Sequence, residues 1–299
     1  MIPTIDKNFV KKVIPERIPG HYYKKYTFGL MLVIGGSDFY SGSPALNAFA
    51  GFRAGVDMVR IFAPERAANI ISSFSPILAA FPMKGNYLKK EHLSFLLYQV
   101  EIAKEVSKGK CSLVVGGGLG RTEETQKTVL ELLEKVNLPM VIDADAIYAL
   151  SEKKNFFSGK KAVITPHLFE FFILTGQKID DLKPEQKSEI VKKEAEKIGA
   201  TIFLKSKPDI ISDGKEVLWN ERGSPYMSVG GTGDVLAGVC GAFLAQNIDP
   251  LRAVAAAGYL TCRAGEIAGE KLEEGLTAFD VIEALPQAIK EVKEGFYEK

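Results

Sequence analysis

Apolar residues along this chain fall into two alternating kinds of segment. Short unbroken runs, such as LMLVI at 30–34, SLVV at 112–115, AVI at 162–164 and TIFL at 201–204, are each followed by a stretch whose apolar positions recur at helical spacing. Strands buried on both faces, separated by amphipathic helices, produce this pattern in βα units on a largely parallel sheet. The spacing predicts strands over Gly29–Ile34, Met58–Phe62, Ser112–Val115, Pro139–Ile142, Ala162–Ile164 and Thr201–Leu204. Helices are expected over Pro44–Ala54, Glu65–Ser72, His92–Ser107, from Thr122 onward, and over Pro184–Ile198, Asp234–Gln246, Pro250–Lys271 and Ala278–Lys293, with further helical stretches after the strands ending at Ile142 and Ile164. DIISDGKEVLWN, at 209–220, reads as a hairpin turning at Asp213 and Gly214. No linker, composition break or repeat interrupts the pattern, so one domain over residues 1–299 is expected.

Composition narrows the partners. Hydrophobic residues at 46% and charged residues at 25% are ordinary for a soluble globular chain, and a net charge of +1 gives no overall attraction to nucleic acid or an acidic membrane. The lysine-rich KVIPERIPGHYYKKY, at 12–26, reads as solvated surface. Cys111, Cys240 and Cys262 are far apart and form no CxxC pair, so they read as reduced core residues. No segment has the length and apolarity of a signal peptide or a membrane span, and a cytoplasmic location is expected.

Chemistry is sought at the carboxyl ends of the strands, where open parallel sheets bind ligands. Those ends read GGSDFYSGSP (35–44), GGGLGR (116–121), DADA (143–146), TPHLFE (165–170), KSKPD (205–209) and GGTGD (230–234). Glycines at a helix start let backbone N–H groups approach an oxyanion, and the helix dipole adds roughly half a positive charge. GGTGD therefore looks like an anion hole with Asp234 placed to take a proton from an attacking hydroxyl; the alternative is an aspartate that only caps the helix. Asp143 and Asp145 are open between capping and contact with a metal or substrate. His167 alone would read as structural; Arg53, Arg60 and Arg121 as surface or interface residues; Trp219 and Tyr226 as packing residues rather than a base-stacking platform. No GxxxxGK[ST] phosphate loop occurs, and neither glycine run has the spacing of a dinucleotide fingerprint followed by an acid.

Taken in order, GGSDFYSGSPALNAFAGFRAGVDMVR, GGGLG, VIDADAIYAL, ITPHLFEFFILTG, FLKSKPDIISDG and GGTGDVLAGVCGAFLAQNIDPLRAVAAAGYLTCRAGE resemble the motif series of the NAD(P)H-hydrate dehydratases. The resemblance spans about Leu30 to Gly269 and implies a ribokinase-like three-layer α/β/α sandwich. It implies nucleotide-dependent dehydration of the S-form of the hydrate of NADH or NADPH, releasing phosphate with AMP from ADP or ADP from ATP. Mg²⁺ is the implied cofactor, and ADP is favoured over ATP as co-substrate.

Carried over by position, Asp234 acts at the hydrate, and Ser43, Gly118 and His167 contact it; Lys205, Ser206, Lys207, Pro208, Asp209, Gly231, Thr232 and Gly233 match the nucleotide-binding segments. Tyr40 and Glu170 match motif positions without an assigned role, and metal ligands are not assigned. Two departures stand out. Ser206 and Asp209 replace the family's usual glycine and threonine, and TPHLFE replaces TPHPGE. Only about 25 residues precede the first strand, so dehydration without an epimerase partner domain is expected. Small-residue helices such as AVAAAGYLTCRAGEIAG could pack between subunits, and a homo-oligomer is expected. The rival readings are a ribokinase-like kinase, such as a hydroxymethylpyrimidine or hydroxyethylthiazole kinase, and a non-catalytic dinucleotide binder.

Overall fold

Both faces of the first strand, which lies inside the sheet, are covered, and that is why it forms from an unbroken apolar run. In β1 (Leu30–Ile34), Leu30, Leu32 and Ile34 enter one core while Met31 and Val33 enter the other. Each such buried side chain contributes roughly 1.5–3 kcal/mol. The computed structural model describes residues 2–151 and 153–294.

Chain order is α1 (Lys7–Val13), β1, α2 (Gly42–Arg53), β2 (Met58–Pro64), α3 (Glu65–Phe74), β3 (Ala79–Met83), α4 (Leu93–Val106) and β4 (Cys111–Val115). It continues with α5 (Glu123–Lys135), β5 (Met140–Ile142), α6 (Asp145–Tyr148), β6 (Ala162–Ile164), α7 (Leu168–Thr175), α8 (Pro184–Ile198) and β7 (Thr201–Leu204). The hairpin β8 (Asp209–Ser212) and β9 (Val217–Asn220) is followed by α9 (Thr232–Ala245), α10 (Pro250–Leu272) and α11 (Ala278–Glu294).

Among the described residues nine strands form one sheet in the order β3-β2-β1-β4-β5-β6-β7-β8-β9. Strands β1 to β7 pair in parallel, and only the β7–β8 and β8–β9 pairs are antiparallel. One core packs residues of α2, α3, α9, α10 and α11 on the sheet, and the other packs α4, α5, α6, α7 and α8, so the layers are helix, sheet, helix. This is the expected three-layer α/β/α sandwich. Among the described residues no helix is long and apolar enough to cross a membrane.

Two elements lie outside the sequence expectation. Strand β3 occupies the sheet edge, contains Pro82 and has exposed positions, so it lacks an unbroken apolar run. Helix α1 is only seven residues long. Helix α9 also begins two residues earlier than expected, because Gly231 takes φ 97° and serves as the N-cap. Asp234 is thereby the third residue of the first turn.

Strand order reverses between β1 and β4. From β1 the chain crosses over α2 to one side, and from β4 over α5 to the other, so their ends diverge and leave a crevice. Helix α9 is pressed against α2 beside it. A Cβ added at Gly238 would lie 2.3 Å from the Asn47 carbonyl oxygen, and Asn47 Nδ2 donates to the Asp234 carbonyl at 2.8 Å. Replacing Gly238 with alanine is therefore expected to destabilise the protein by about 2 kcal/mol, although helix propensity alone favours alanine by up to about 1 kcal/mol. Urea unfolding checks the sign, and a midpoint equal to or above that of the parent protein would contradict it.

Candidate active site

Glycines from two strand ends line the crevice. Gly36 N–H donates to the Gly117 carbonyl at 2.9 Å, tying the loop after β1 to the loop after β4. Gly117 has no room for a side chain: a Cβ would meet Ser43 Cβ at 2.7 Å and Asp234 Oδ1 at 2.9 Å. Gly118 has φ 69°, and a Cβ there would lie 2.8 Å from Tyr40 Cβ. Ser43, Gly118, Tyr40 and Asp234 are thus brought to one place, and the Tyr40 ring is left exposed at its rim.

Asp234 stands at the positive end of α9. The opening N–H groups of a helix have no partner inside it, and Gly231 offers no capping side chain, so the backbone of Gly231–Gly233 is open to an anion. The Thr232 hydroxyl donates to the carbonyls of Met227 at 3.1 Å and Val229 at 3.2 Å, where it holds the glycine loop in shape. Burial pushes the Asp234 carboxyl up to about 7, reinforced by the Asp143 anion; a hydrogen bond from Ser43 and the charge of Lys205 pull against this rise.

Lys205 joins the ends of β5 and β7 to the first turn of α7. Its Nζ lies 3.0 Å from Asp143 Oδ1 and 3.6 Å from Glu170 Oε2, and a Cβ on Gly233 would approach it at 3.3 Å. Burial opposes the lysine's charge, but Asp143, Glu170 and Asp234 outweigh it and hold its pKa above the usual lysine value. Asp143 is 4% exposed and also accepts from Thr165 Oγ1 at 2.8 Å. It caps no helix, since the N-cap of α6 is Ala144. Asp145 instead accepts from Gly120 N–H and from Arg121, whose guanidinium stacks on Tyr148.

His167 caps α7, its Nδ1 accepting from the N–H groups of Phe169 and Glu170, while Glu170 Oε2 accepts from His167 N–H at 2.8 Å. That capping box leaves Nε2 as the ring's donor, on a half-exposed side chain. The structural and functional readings of His167 are therefore compatible. Glu170, 5% exposed, serves both the cap and Lys205.

Beyond Gly233 opens a cavity of 590 Å³, with walls formed by Phe203, Leu236, Met227, Pro225 and Gly258 and polar groups supplied by Lys205, Arg222 and Thr232. Ser206, Lys207 and Asp209 also line it, whereas Pro208 does not. In this segment the polar atoms mostly serve the bend itself. Asp209 accepts from Ser206 N–H at 3.1 Å and from Asn220 Nδ2 at 2.9 Å, Ser206 Oγ donates to the Pro208 carbonyl, and Lys207 Nζ donates to the Glu221 carbonyl. Burial pushes the Asp209 carboxyl up to about 7 despite these donors.

Cys111 and Cys240 are buried, but Cys262 is corrected: it faces the cavity beside Asp209 because its helix turns that side toward the bend. Arg53 pairs with Glu283 at the surface. Trp219 donates to Ser188 and packs under α8, and Tyr226 packs against α10 near Gly269. Among the described residues no group of three or more His, Cys, Asp or Glu is arranged to hold a metal ion.

Comparison with known proteins places the chain among relatives. A family profile described as NAD(P)H-hydrate dehydratase matches residues 31–287. The chain is 42% identical over 269 residues to a bifunctional NAD(P)H-hydrate repair enzyme of Pyrobaculum aerophilum, covering 89% of this chain and 52% of that protein. It thus spans about half the length of the bifunctional relatives. An ADP-dependent (S)-NAD(P)H-hydrate dehydratase of Cenarchaeum symbiosum is 35% identical over 286 residues, with 96% of each chain covered. A Bacillus subtilis ADP/ATP-dependent NAD(P)H-hydrate dehydratase, co-crystallised with ATP/Mg²⁺, superposes with a TM-score of 0.79 at 24% identity, covering 97% of this chain and 99% of that one, and so shares the fold. With the profile spanning most of its length, the chain belongs to the NAD(P)H-hydrate dehydratase family.

Proposed function

We propose that this chain dehydrates the S-form of the hydrate of NADH or NADPH at the expense of a nucleotide phosphate, with ADP as the favoured donor. One observation carries the reading. Asp234 sits where the glycine-lined crevice and the 590 Å³ cavity meet, its carboxyl beside Ser43 and Gly117 and its helix N-terminus beside Lys205. The cavity takes the nucleotide, with Gly231–Gly233 and Lys205 at the phosphates. The crevice takes the hydrate, against Ser43, Gly118 and His167.

The chemistry follows from a poor leaving group. Hydroxide does not leave a saturated ring carbon at neutral pH, but phosphate does. Asp234 accepts the proton of the hydrate's hydroxyl as its oxygen attacks the terminal phosphorus, and AMP leaves when ADP is the donor. The backbone N–H groups at α9 face the phosphoryl oxygens as their charge develops. The ring nitrogen's lone pair then breaks the carbon–oxygen bond, phosphate departs, and loss of the neighbouring C–H proton restores the dihydronicotinamide.

Three carboxylates, Asp143, Glu170 and Asp234, surround the single ammonium of Lys205, which leaves surplus negative charge at the phosphate end. A Mg²⁺ carried in on the nucleotide would meet that surplus, with Asp143 and Glu170 the carboxylates that would hold it in exchange for their contacts to Lys205. Bound there, it would neutralise phosphate charge.

Asp234→Asn is expected to bind ADP normally and to lose about 10²–10⁴ in kcat, read as recovery of reduced-nicotinamide absorbance with stoichiometric phosphate release. Undiminished turnover would contradict the assignment, and a stable phosphoester on an alcohol would favour a kinase instead. A base must be ionised to work, so kcat/KM is expected to fall tenfold per pH unit below about 7 and to level off above it. Ser43 stabilises the ionised form, so Ser43→Ala should move this limb toward higher pH by roughly half a pH unit. A limb that stays in place or moves to lower pH would remove Ser43 from that role.

A further inference from the structure

Hydroxyls within this chain's helices usually close back onto the carbonyl one turn earlier. Thr128 donates to Glu124 O at 2.7 Å, Thr175 to Phe171 O at 2.8 Å, and Ser188 to Pro184 O at 2.8 Å. Such back-bonding is the ordinary way to satisfy a hydroxyl in a helix. Thr261, in the interior of α10, departs from it. The residue is 3% exposed, and its Oγ1 has no hydrogen-bond partner among the described residues.

Thr261 also lines the 590 Å³ cavity, on the face of α10 that carries Gly258 and Cys262. Around that face the walls are apolar: Phe203, Leu236, Met227 and Pro225. The cavity's cations, Lys205, Lys207 and Arg222, come from the strand ends and loops rather than from α10. A flat heterocycle needs apolar cover on its faces and a small number of placed polar partners at its edge. Phosphates need the cations and the α9 N-terminus.

We propose that Thr261 reads the purine base of the nucleotide, its hydroxyl donating to a ring nitrogen or accepting from the exocyclic amine. This rests on the reading of the cavity as the nucleotide site. Threonine in a helix uses two χ1 rotamers, and because Thr261 lines the cavity its hydroxyl is within reach of a base bound there. An unpartnered buried hydroxyl destabilises the ligand-free protein, so the residue is held for what it binds.

Calorimetric titration of the full chain with ADP, beside thermal unfolding without ligand, separates the possibilities. Thr261→Val is expected to bind ADP about tenfold more weakly while melting about 2 °C higher without ligand. Pyrophosphate, which has no base, should bind the valine variant and the parent protein equally, and Thr261→Ser should retain ADP affinity within about twofold. Unchanged ADP affinity in Thr261→Val overturns the proposal alone, as does an equal loss for pyrophosphate or a lowered melting point. A parent protein that binds no adenine nucleotide overturns the cavity reading and the role of Thr261 with it.

Discussion

The ammonium of Lys205 is the charge on which the site depends. Asp143, Glu170 and Asp234 come from the end of β5, the first turn of α7 and the start of α9, and three carboxylates so placed repel one another without a cation among them. A buried ion pair contributes little net stability, but removing one partner leaves an uncompensated charge at a cost of several kcal/mol. Lys205 compensates only part of the cluster. Burial, with that excess beside it, raises the carboxyl of Asp234 to about 7, where a proton acceptor works best at cellular pH.

Close approach of backbone to backbone sets the geometry around that charge. Gly117 lets the loop after β4 lie against Ser43 and Asp234, and Gly238 lets α9 settle onto α2, so the first turn of α9 is held between the crevice and the cavity. One carboxylate can then face a hydroxyl on one side while its helix end faces phosphate on the other. The glycine-rich start of α9 costs conformational entropy, which the packing along the rest of the helix offsets.

The parallel sheet was legible in the sequence because strands covered on both faces leave unbroken apolar runs. The edge strand Ala79–Met83 was not, since Ala79 and Pro82 meet solvent. GGTGD announced the anion-facing helix start, yet the roles of its members differ: Thr232 spends its hydroxyl on its own loop, while the backbone and Asp234 face outward. Asp143 stayed open between cap and contact because its partner lies 62 residues away at Lys205, a proximity that no local spacing encodes. Thr261 gave no signal at all; an apolar-looking helix conceals an unsatisfied hydroxyl until the helix's neighbours are known. At 206–209 the departure from the family pattern is matched by a bend whose polar groups largely bond one another.

The central claim is that the hydrate's own oxygen attacks the nucleotide's terminal phosphorus at Asp234. Hydrate labelled with ¹⁸O at the ring hydroxyl, turned over with unlabelled ADP and analysed by mass spectrometry of the released phosphate, tests it most directly. Phosphate carrying one labelled oxygen per turnover is the predicted result. Unlabelled phosphate with the label in water would mean that the nucleotide is hydrolysed separately from the dehydration, and would contradict the account.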